Sequence, residues 1–394
     1  MSLTLTHIRK YLVILGLCLG VMPLIFLINF VFLLNAGEFE RIDNIIKIQS
    51  QHDALFYSAL RHITYPYKLS LFHQVKPRIV AVGSSRVFQI RSPYFTGSFV
   101  NMGGAMGSFK DGEAILREMA ASHKPEVVLM GLDPWWFGNG ALTSQMETAN
   151  ATGQEFQIDM LVMPCDWLIW KKVSYQNYFK VLLGKTSNLF PAIGVYAVER
   201  HEGFYRDGSF YNLGTVTGLY KFNDQKFERL ASLIKTGAYS WKHDKSINKE
   251  RWKEFVSMVT FAQQENIHLI IFLTPLPAKL IDLMASMGDN YAYIDELRAM
   301  LPKVSKHYYD FYDPRSFGSS DCEFIDGEHG GEIMYLRMML EISKDPASGL
   351  SPYLNLDKIV KCIDQYRGKA MVPPPFYKQP FTEIDFLELG CKKH

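Results

Sequence analysis

A long uncharged segment near the N-terminus constrains this chain more than any other feature. It runs from Tyr11 to Leu34 and contains no Asp, Glu, Lys or Arg. A run of about 20 apolar residues is long enough to cross the hydrocarbon core of a bilayer as a helix. The nearest charged or titratable residues are His7, Arg9 and Lys10 before the segment and Glu38 and Glu40 after it. By the positive-inside rule, we expect the short N-terminus in the cytoplasm and the rest of the chain outside.

A cleaved signal peptide is the alternative interpretation of this segment. The apolar run is much longer than the hydrophobic region of a signal peptide, and Asn35, Ala36 and Gly37 form a poor cleavage site. Pro23 is tolerated in a membrane helix. We therefore predict a cytoplasmic tail over residues 1–10 and an uncleaved transmembrane anchor over 11–35.

The composition predicts a packed protein outside the nucleic-acid-binding classes. The 394-residue chain is 48% hydrophobic and 21% charged, which is typical of a globular domain. The formal net charge of +2 implies no dense basic surface, so nucleic acid is not an expected partner. No glycine-rich nucleotide-binding pattern follows the first predicted strand, and we expect no cofactor.

Cysteine usage fits an oxidising compartment. Cys18 lies in the apolar segment, and the other cysteines are Cys165, Cys322, Cys362 and Cys391. Four cysteines allow three pairings, and the first choice is Cys362 with Cys391, which would fix the C-terminal tail. No pair has the spacing of metal ligands, so no zinc site is expected.

Short apolar runs that end in turn residues predict buried β-strands at Arg78–Val82, Ser98–Asn101, Pro125–Met130, His268–Leu273 and Tyr308–Tyr312. Helical patterns lie between several of these runs. One helix would begin after Ser108, which with Asp111 forms a capping pair, and end near Ser122; another would run from Asn248 to Glu265. This alternation predicts an α/β fold with a mostly parallel sheet covered on both faces.

The remaining segments predict the domain organisation. Residues 36–75 are expected to form a stalk that is amphipathic and helical from Glu38 to about Leu71. Residues 76–345 would form the α/β domain, and residues 346–394 a C-terminal tail packed on it. Within the domain, residues 135–246 lose the strand–helix rhythm and are rich in aromatic residues. We interpret them as a large insertion or lid, partly helical between Asp166 and Leu183.

Several chemically capable residues follow predicted strands, and ligands of parallel sheets bind outside the carboxyl ends of the strands. Ser85 ends a Gly-Ser-Ser turn after the first strand. His329 and Asp326 lie in a late glycine-rich segment, close enough in sequence for one turn to bring them together. A serine hydroxyl needs a base, and the base needs an orienting group. We therefore predict that Ser85 is a nucleophile, His329 its base and Asp326 the orienting carboxylate.

Other residues complete this predicted site. Backbone N–H groups of Ser85, Gly103 and Gly104 are candidates for an oxyanion hole. Glycines at 327, 330 and 331 would give the histidine loop backbone freedom. Ser84 is interpreted as a turn former, and Arg86 as a structural ion pair or a receptor for an acidic substrate group. Candidates outside the strand ends are Trp135–Phe137 as a sugar-stacking surface or packing, and His201 and Arg206–Ser209 as groove residues or a plain turn.

The Gly83-Ser84-Ser85 turn, the glycine after the second strand and the late Asp326/His329 pair together resemble the SGNH (GDSL-like) hydrolase superfamily. With Arg86 after the turn and a single anchor, the chain is more similar to the DltD-type and alginate-acetylation branches. The resemblance covers roughly residues 79–134 and 268–337. It implies a three-layer, flavodoxin-like sheet and the same roles for Ser85, His329 and Asp326.

The chain departs from that pattern after the third strand. Superfamily members usually carry Gly-x-Asn-Asp there, with the asparagine in the oxyanion hole. This chain has Gly131, Leu132, Asp133 and Pro134, and an aspartate donates a hydrogen bond only when protonated. Two alternatives follow: the oxyanion hole uses backbone donors and another side chain, for which Asn101 is a candidate, or the site is weak. The alternative role for Asp133, outside the oxyanion hole, is to fix the active-site loop.

The resemblance implies an extracytoplasmic serine O-acyltransferase or esterase. It would act on acetyl or D-alanyl esters of a cell-envelope polysaccharide or teichoic-acid-like polymer, with a membrane-bound O-acyltransferase as partner. One alternative is a non-catalytic accessory protein that presents polymer or acyl carrier to that partner. Another is an envelope esterase without a partner.

Overall fold

The computed structural model describes residues 2–152, 157–187, 189–221 and 224–393. The strands of this part of the chain are short and belong to two sheets. In chain order they are β1 (Leu55–Phe56), β2 (Ile79–Gly83), β3 (Phe99–Gly103), β4 (Val127–Leu132), β5 (Ala192–Ile193), β6 (Glu202–Phe204), β7 (Phe210–Asn212), β8 (Leu269–Leu273) and β9 (Tyr308–Asp310).

The larger sheet is parallel throughout and has the order β3-β2-β4-β8-β9. Its strands are the five predicted from the sequence, with bounds that agree to within two residues. All residues of β2, β3, β4 and β8 are buried, which explains why these segments read as continuous apolar runs. The α/β class predicted from the sequence is therefore confirmed.

Helices cover both sides of this sheet. In chain order the α-helices are α1 (Ser2–Ala36), α2 (Ile42–Gln51), α3 (Thr64–Val75), α4 (Phe109–Ser122), α5 (Gln145–Thr152), α6 (Met163–Ile169), α7 (Tyr175–Leu182), α8 (Val195–Arg200), α9 (Leu213–Thr217), α10 (Glu228–Thr236), α11 (Lys249–Gln264), α12 (Ala278–Ala285), α13 (Ala292–Met300), α14 (Glu332–Ser343) and α15 (Leu356–Gln365). Helix α4 packs against α11, and α14 packs against α15. The predicted cap of α4 is present, since the Ser108 hydroxyl accepts a hydrogen bond from the backbone N–H of Asp111.

The predicted stalk does not stand apart from the domain. Ile45 in α2 and Tyr67 and Leu71 in α3 are buried in the main core. Strand β1 joins the smaller sheet, whose order is β5-β1-β6-β7. The amphipathic pattern of residues 36–75 is thus explained by packing on the body, and the stalk interpretation is corrected. The sequence gives little sign of the smaller sheet because its strands are only two or three residues long.

Helix α1 carries the apolar N-terminal segment and is joined to the body by a buried carboxylate. Glu38, just after α1, is fully buried. Its oxygens accept hydrogen bonds from the Ser58 hydroxyl at 2.5 Å and from the N–H groups of Ala59, Leu60 and Val195 at 2.9, 3.3 and 2.6 Å. Within the described part of the chain, no helix is both long and apolar enough to cross a membrane.

The C-terminal tail is fixed by a disulfide between Cys322 and Cys391. The expected pairing of Cys362 with Cys391 is therefore wrong. Cys362 lies in α15 as a free, buried thiol, and Cys165 is also free. The tail returns to the segment just before the His329 loop, which the spacing of cysteines does not reveal. The side chain of Cys18 is outside the described part of the chain.

Peptide mapping without reduction is expected to recover Cys322 linked to Cys391, with free thiols at Cys165 and Cys362. Replacing both bonded cysteines with serine opens a loop with a sequence separation of 69 residues. The free energy of unfolding should fall by about 4 kcal/mol because the unfolded chain gains loop entropy. Cys165→Ser is the control and should change stability little. A Cys362–Cys391 peptide would contradict this assignment.

Candidate active site

The turn after β2 presents Ser85 at the carboxyl end of the sheet. Strand β2 ends at Gly83, and the Ser84 hydroxyl accepts a hydrogen bond from the N–H of Arg86 at 3.1 Å. This contact closes a single 3₁₀ turn over Ser85–Val87. Ser84 is therefore a turn former, as the sequence suggests, and Ser85 is left half-buried at the start of the turn.

A tight loop before α14 presents His329. The N–H of Ile325 donates to the carbonyl of His329 at 2.8 Å, and Phe324 pairs with Gly330. Asp326 Oδ1 accepts hydrogen bonds from the N–H groups of Glu328 at 2.7 Å and His329 at 2.8 Å. The Asp-x-x-His spacing thus works as a one-turn loop in which the carboxylate is fixed by backbone donors.

Ser85, His329 and Asp326 form a continuous hydrogen-bonded chain. His329 Nδ1 lies 2.8 Å from both carboxylate oxygens of Asp326. Ser85 Oγ lies 2.7 Å from His329 Nε2. With the imidazole proton on Nδ1, facing Asp326, the serine hydroxyl donates to Nε2. This is the arrangement in which an imidazole can take a proton from a serine hydroxyl.

Asp326 and His329 each stabilise the charged form of the other. Burial acts to lower the pKa of His329, but the Asp326 carboxylate outweighs it and raises that pKa above its usual value. Burial likewise acts to raise the pKa of Asp326, but His329 and the backbone donors outweigh it and lower that pKa. Asp326 therefore stays ionised and stabilises a proton on the imidazole.

The Ser85 end of this hydrogen-bonded chain opens into a cavity of about 310 Å³. Its wall includes Ser85 and His329 together with Asp133, and Gln145 reaches it from the start of α5. Apolar and aromatic side chains also contribute: Phe88, Met106, Trp135, Trp136 and Leu142. The cavity combines the Ser85 hydroxyl with a partly apolar wall, which is typical of sites for small organic groups.

The predicted oxyanion donors are mostly engaged elsewhere. The Asn101 amide is fully buried and donates to the carbonyls of Val87 and Ile90 at 2.7 and 2.8 Å. The N–H of Gly103 donates to Asn101 Oδ1 at 2.7 Å, and that of Gly104 to the carbonyl of Gly83 at 3.0 Å.

These hydrogen bonds correct the expected roles of Asn101, Gly103 and Gly104, whose donors hold the turn after β2. Gly104 has a φ of +76°, and a Cβ there would lie 2.8 Å from the Phe88 ring. The Ser85 N–H is different, because at the first position of its turn it has no partner within the helix.

Arg86 and Asp133 form a buried ion pair beneath the cavity. Arg86 Nη1 lies 3.8 Å from Asp133 Oδ1, and both side chains are 1% exposed. The guanidinium donates to the Pro275 carbonyl and lies over the Trp135 ring, 4.9 Å from its centroid. Thr274 Oγ1 is 3.1 Å from Asp133 Oδ1. Of the two interpretations of Arg86, this geometry supports the structural ion pair.

Burial raises the pKa of Asp133 to about 6, although Arg86 and the hydroxyls of Ser84 and Thr274 act to lower it. Asp133 therefore titrates close to neutral pH. It joins the ends of β4 and β8 and the turn that carries Arg86, as expected for a residue that holds the site together.

The loop glycines serve close packing rather than unusual backbone angles. A Cβ at Gly331 would lie 2.4 Å from the Ala370 carbonyl oxygen, and a Cβ at Gly327 would lie 2.8 Å from Leu230. Neither glycine has a positive φ. The prediction that these residues supply backbone freedom is corrected: they allow the tail and the insertion to approach the loop.

Most of the remaining sequence candidates lie in the core or in turns, and none contacts Ser85 or His329 through a hydrogen bond described above. Trp136 and Phe137 pack in the core around Phe109. Trp135 and Trp136 contribute to the cavity wall. Asp207 accepts from the N–H and hydroxyl of Ser209, so the Arg206–Ser209 segment is a turn. His201 packs against Phe190.

Sequence reasoning missed Asp224, which lies in the insertion. Its Oδ2 accepts a hydrogen bond at 2.9 Å from the N–H of Gly327, the residue that follows Asp326. It also missed Glu328, which lines the cavity beside His329 and accepts from Trp241 Nε1 at 3.3 Å. Asp224 carries no local signal because the contact joins segments 103 residues apart. Within the described residues, no group of three or more His, Cys, Asp or Glu could hold a metal ion.

Comparison with known proteins does not assign this site. No family model matches the chain, and no curated protein matches it. The function is therefore inferred from the geometry of the site.

Asp133→Asn is expected to change the pH dependence of stability. Because the folded-state pKa of about 6 lies above the ordinary 3.8, the folded protein keeps a proton that the unfolded chain has lost. The wild type should therefore lose stability as the pH rises from about 4 to 7, by up to about 3 kcal/mol, relative to the variant. Thermal unfolding of both proteins in one detergent across this pH range tests it. A stability difference that is independent of pH would contradict the assignment.

Proposed function

We propose that this protein is a serine acyltransferase or esterase with Ser85 as its nucleophile. The observation that carries the proposal is the hydrogen-bonded chain from Ser85 Oγ through His329 to Asp326, with distances of 2.7 and 2.8 Å. Ser85 and His329 line a cavity, so a substrate carbonyl would have access to the Ser85 hydroxyl. A buried structural serine would not need a base whose second nitrogen is held by a carboxylate.

The reaction has two half-steps. Ser85 Oγ attacks the carbonyl carbon of an ester while His329 Nε2 takes the hydroxyl proton. The tetrahedral intermediate then collapses, the bond to the leaving oxygen breaks, and the imidazolium gives that oxygen its proton. In the second half-step an acceptor hydroxyl loses its proton to His329 and attacks the acyl-serine. A sugar or polyol acceptor gives transfer, and water gives hydrolysis.

The negative charge of each intermediate needs donors. The Ser85 N–H is the remaining predicted backbone donor, whereas the buried Arg86 guanidinium is paired with Asp133. Each donor of this kind typically contributes ~3 kcal/mol to transition-state stabilisation. A site with fewer donors would be slower.

We further propose an SGNH-type fold of the membrane-anchored branch. The strand order, counted along the sheet's own strands, is 2-1-3-4-5, as in flavodoxin-like sheets. The serine follows the first strand of this sheet and the Asp-x-x-His pair follows the last. The resemblance of the Gly83–Arg86 turn to the DltD-type and alginate-acetylation branches supports the same proposal.

We propose that α1 anchors the protein in the cell membrane, with the N-terminus in the cytoplasm and the cavity outside. The uncharged segment and its flanking charges support this orientation. The Cys322–Cys391 disulfide supports an oxidising compartment.

The proposed substrate is an acetyl or D-alanyl ester of a cell-envelope polysaccharide or teichoic-acid-like polymer. A cavity of about 310 Å³ suits a small acyl group together with part of an acceptor. A membrane-bound O-acyltransferase is the proposed partner that supplies the acyl group.

A second candidate function is favoured by the occupied oxyanion donors. With Asn101, Gly103 and Gly104 engaged in the turn, the protein would bind polymer or acyl carrier without catalysis and present it to the membrane partner. The hydrogen bond between Ser85 and His329 favours the enzyme.

Fluorophosphonate labelling separates these two functions. The purified full-length protein should be labelled, and Ser85→Ala should abolish labelling. His329→Gln should slow it about 10²- to 10⁴-fold because the general base is lost. Ser122→Ala, an exposed serine at the end of α4, is the matched control and should label as the wild type does. Absence of labelling in the folded wild type would favour the accessory function.

A further inference from the structure

The segment from Ile158 to Leu183 exposes an unusual amount of apolar surface. It contains α6 and α7. Some of its large apolar side chains, such as Trp167 and Tyr178, are buried against the body, but others are exposed. We call this set the α6–α7 surface: Ile158, Ile169, Trp170, Tyr175, Phe179 and Leu183, with exposed fractions of 70, 68, 72, 62, 61 and 77%. A soluble surface rarely groups so many large apolar side chains.

This segment is docked on α1 by specific polar contacts. Asn29 is 1% exposed, and its amide donates to the Leu161 carbonyl at 2.6 Å. The Tyr178 hydroxyl donates to Asn29 Oδ1 at 2.7 Å. The Asn35 amide lies 3.1 and 3.2 Å from the carbonyls of Val181 and Leu182. The polar groups of Asn29 are therefore satisfied by α6–α7 rather than by water.

The position of these contacts along α1 indicates how deep α6–α7 would lie relative to the bilayer surface. Asn29 lies inside the uncharged run, roughly 8 Å along the helix axis from Leu34 at about 1.5 Å per residue. An amphipathic helix at a bilayer surface buries its apolar face about 5–10 Å below the headgroups. The docking of α6–α7 therefore places it at the depth of the interface if α1 spans the bilayer.

Several apolar side chains of α1 near the same end are also exposed. Leu24, Leu27 and Leu34 are exposed by 55, 59 and 53%. The α6–α7 surface and this face of α1 thus belong to adjoining elements that pack on each other through Phe32 and Tyr178, whose ring centroids are 4.5 Å apart.

The charges fit an interface with anionic headgroups. Trp170 and Tyr175 are the aromatic types enriched at the membrane interface. Within the segment, the exposed Lys171, Lys172 and Lys180 outnumber Asp159 and Asp166, and an exposed Lys185 follows its end. The segment is therefore net positive, which favours anionic lipid.

We propose that the α6–α7 surface lies in the interfacial region of the lipid bilayer, beside α1. This inference rests on the proposed membrane anchor but is independent of the chemistry at Ser85. It gives the insertion a second role, because one part of it holds the His329 loop through Asp224 and another fixes the body against the membrane. The cavity would then keep a defined orientation relative to the bilayer.

Brominated lipids test this proposal, because bromine on the acyl chains quenches tryptophan fluorescence only at short range. The full-length protein is reconstituted into nanodiscs of anionic lipid, with or without bromine. The variants are Trp170→Phe and, as a matched control, Trp252→Phe, a residue of α11 whose side chain packs against the main core. The bromine-dependent loss of emission should fall about twofold in Trp170→Phe and stay unchanged in Trp252→Phe, because an interfacial indole is within reach of the acyl chains.

Two results would overturn the inference, and they are distinguishable. If the protein remains with the nanodiscs but Trp170→Phe leaves quenching unchanged, the α6–α7 surface is outside the lipid, as for a protein-binding surface, and the anchor stands. If the protein does not remain with the nanodiscs, the anchor and this inference both fail. Fluorophosphonate labelling of the same samples reports separately on Ser85.

Discussion

The parallel pairing of β2 with its neighbours is the constraint on which the site depends. Gly83 at the end of β2 lies opposite Gly103 at the end of β3, and Leu132 in β4 lies opposite Leu273 in β8. Because the strands end at one edge, the residues that follow them are brought together there. Ser85, Asp133 and Thr274 all come from such positions. Backbone hydrogen bonds between the strands therefore fix the serine and the buried ion pair below it before any substrate contact is made.

The base requires more than this sheet. His329 lies on a loop whose geometry depends on the insertion, through the hydrogen bond from Gly327 to Asp224, and on the tail, through the close approach of Ala370 to Gly331. The Cys322–Cys391 disulfide holds the tail against the start of the same region. The segments outside the α/β core thus position His329. The same insertion also contributes to the cavity wall and carries the exposed α6–α7 surface.

The parts of this arrangement that sequence could predict are those with local signals. The five strands of the larger sheet are apolar runs ended by turn residues, and the Asp326/His329 pair is a short spacing within one loop. Asn101 was assigned wrongly because its partners, Val87 and Ile90, belong to a turn that only the folded sheet brings near. Asp224 and the true partner of Cys391 depend on contacts between distant segments. The smaller sheet gave no pattern because its strands are too short for a periodicity to appear.

The central claim is that Ser85 carries the acyl group during the reaction. The most direct measurement is mass spectrometry of the full-length protein, quenched with acid during turnover of p-nitrophenyl acetate. The account predicts an acetyl group on the peptide that contains Ser85, and its absence in His329→Gln, since the hydroxyl then keeps its proton. An unmodified Ser85 peptide in the wild type, or an acetyl group at another residue during turnover, would contradict it.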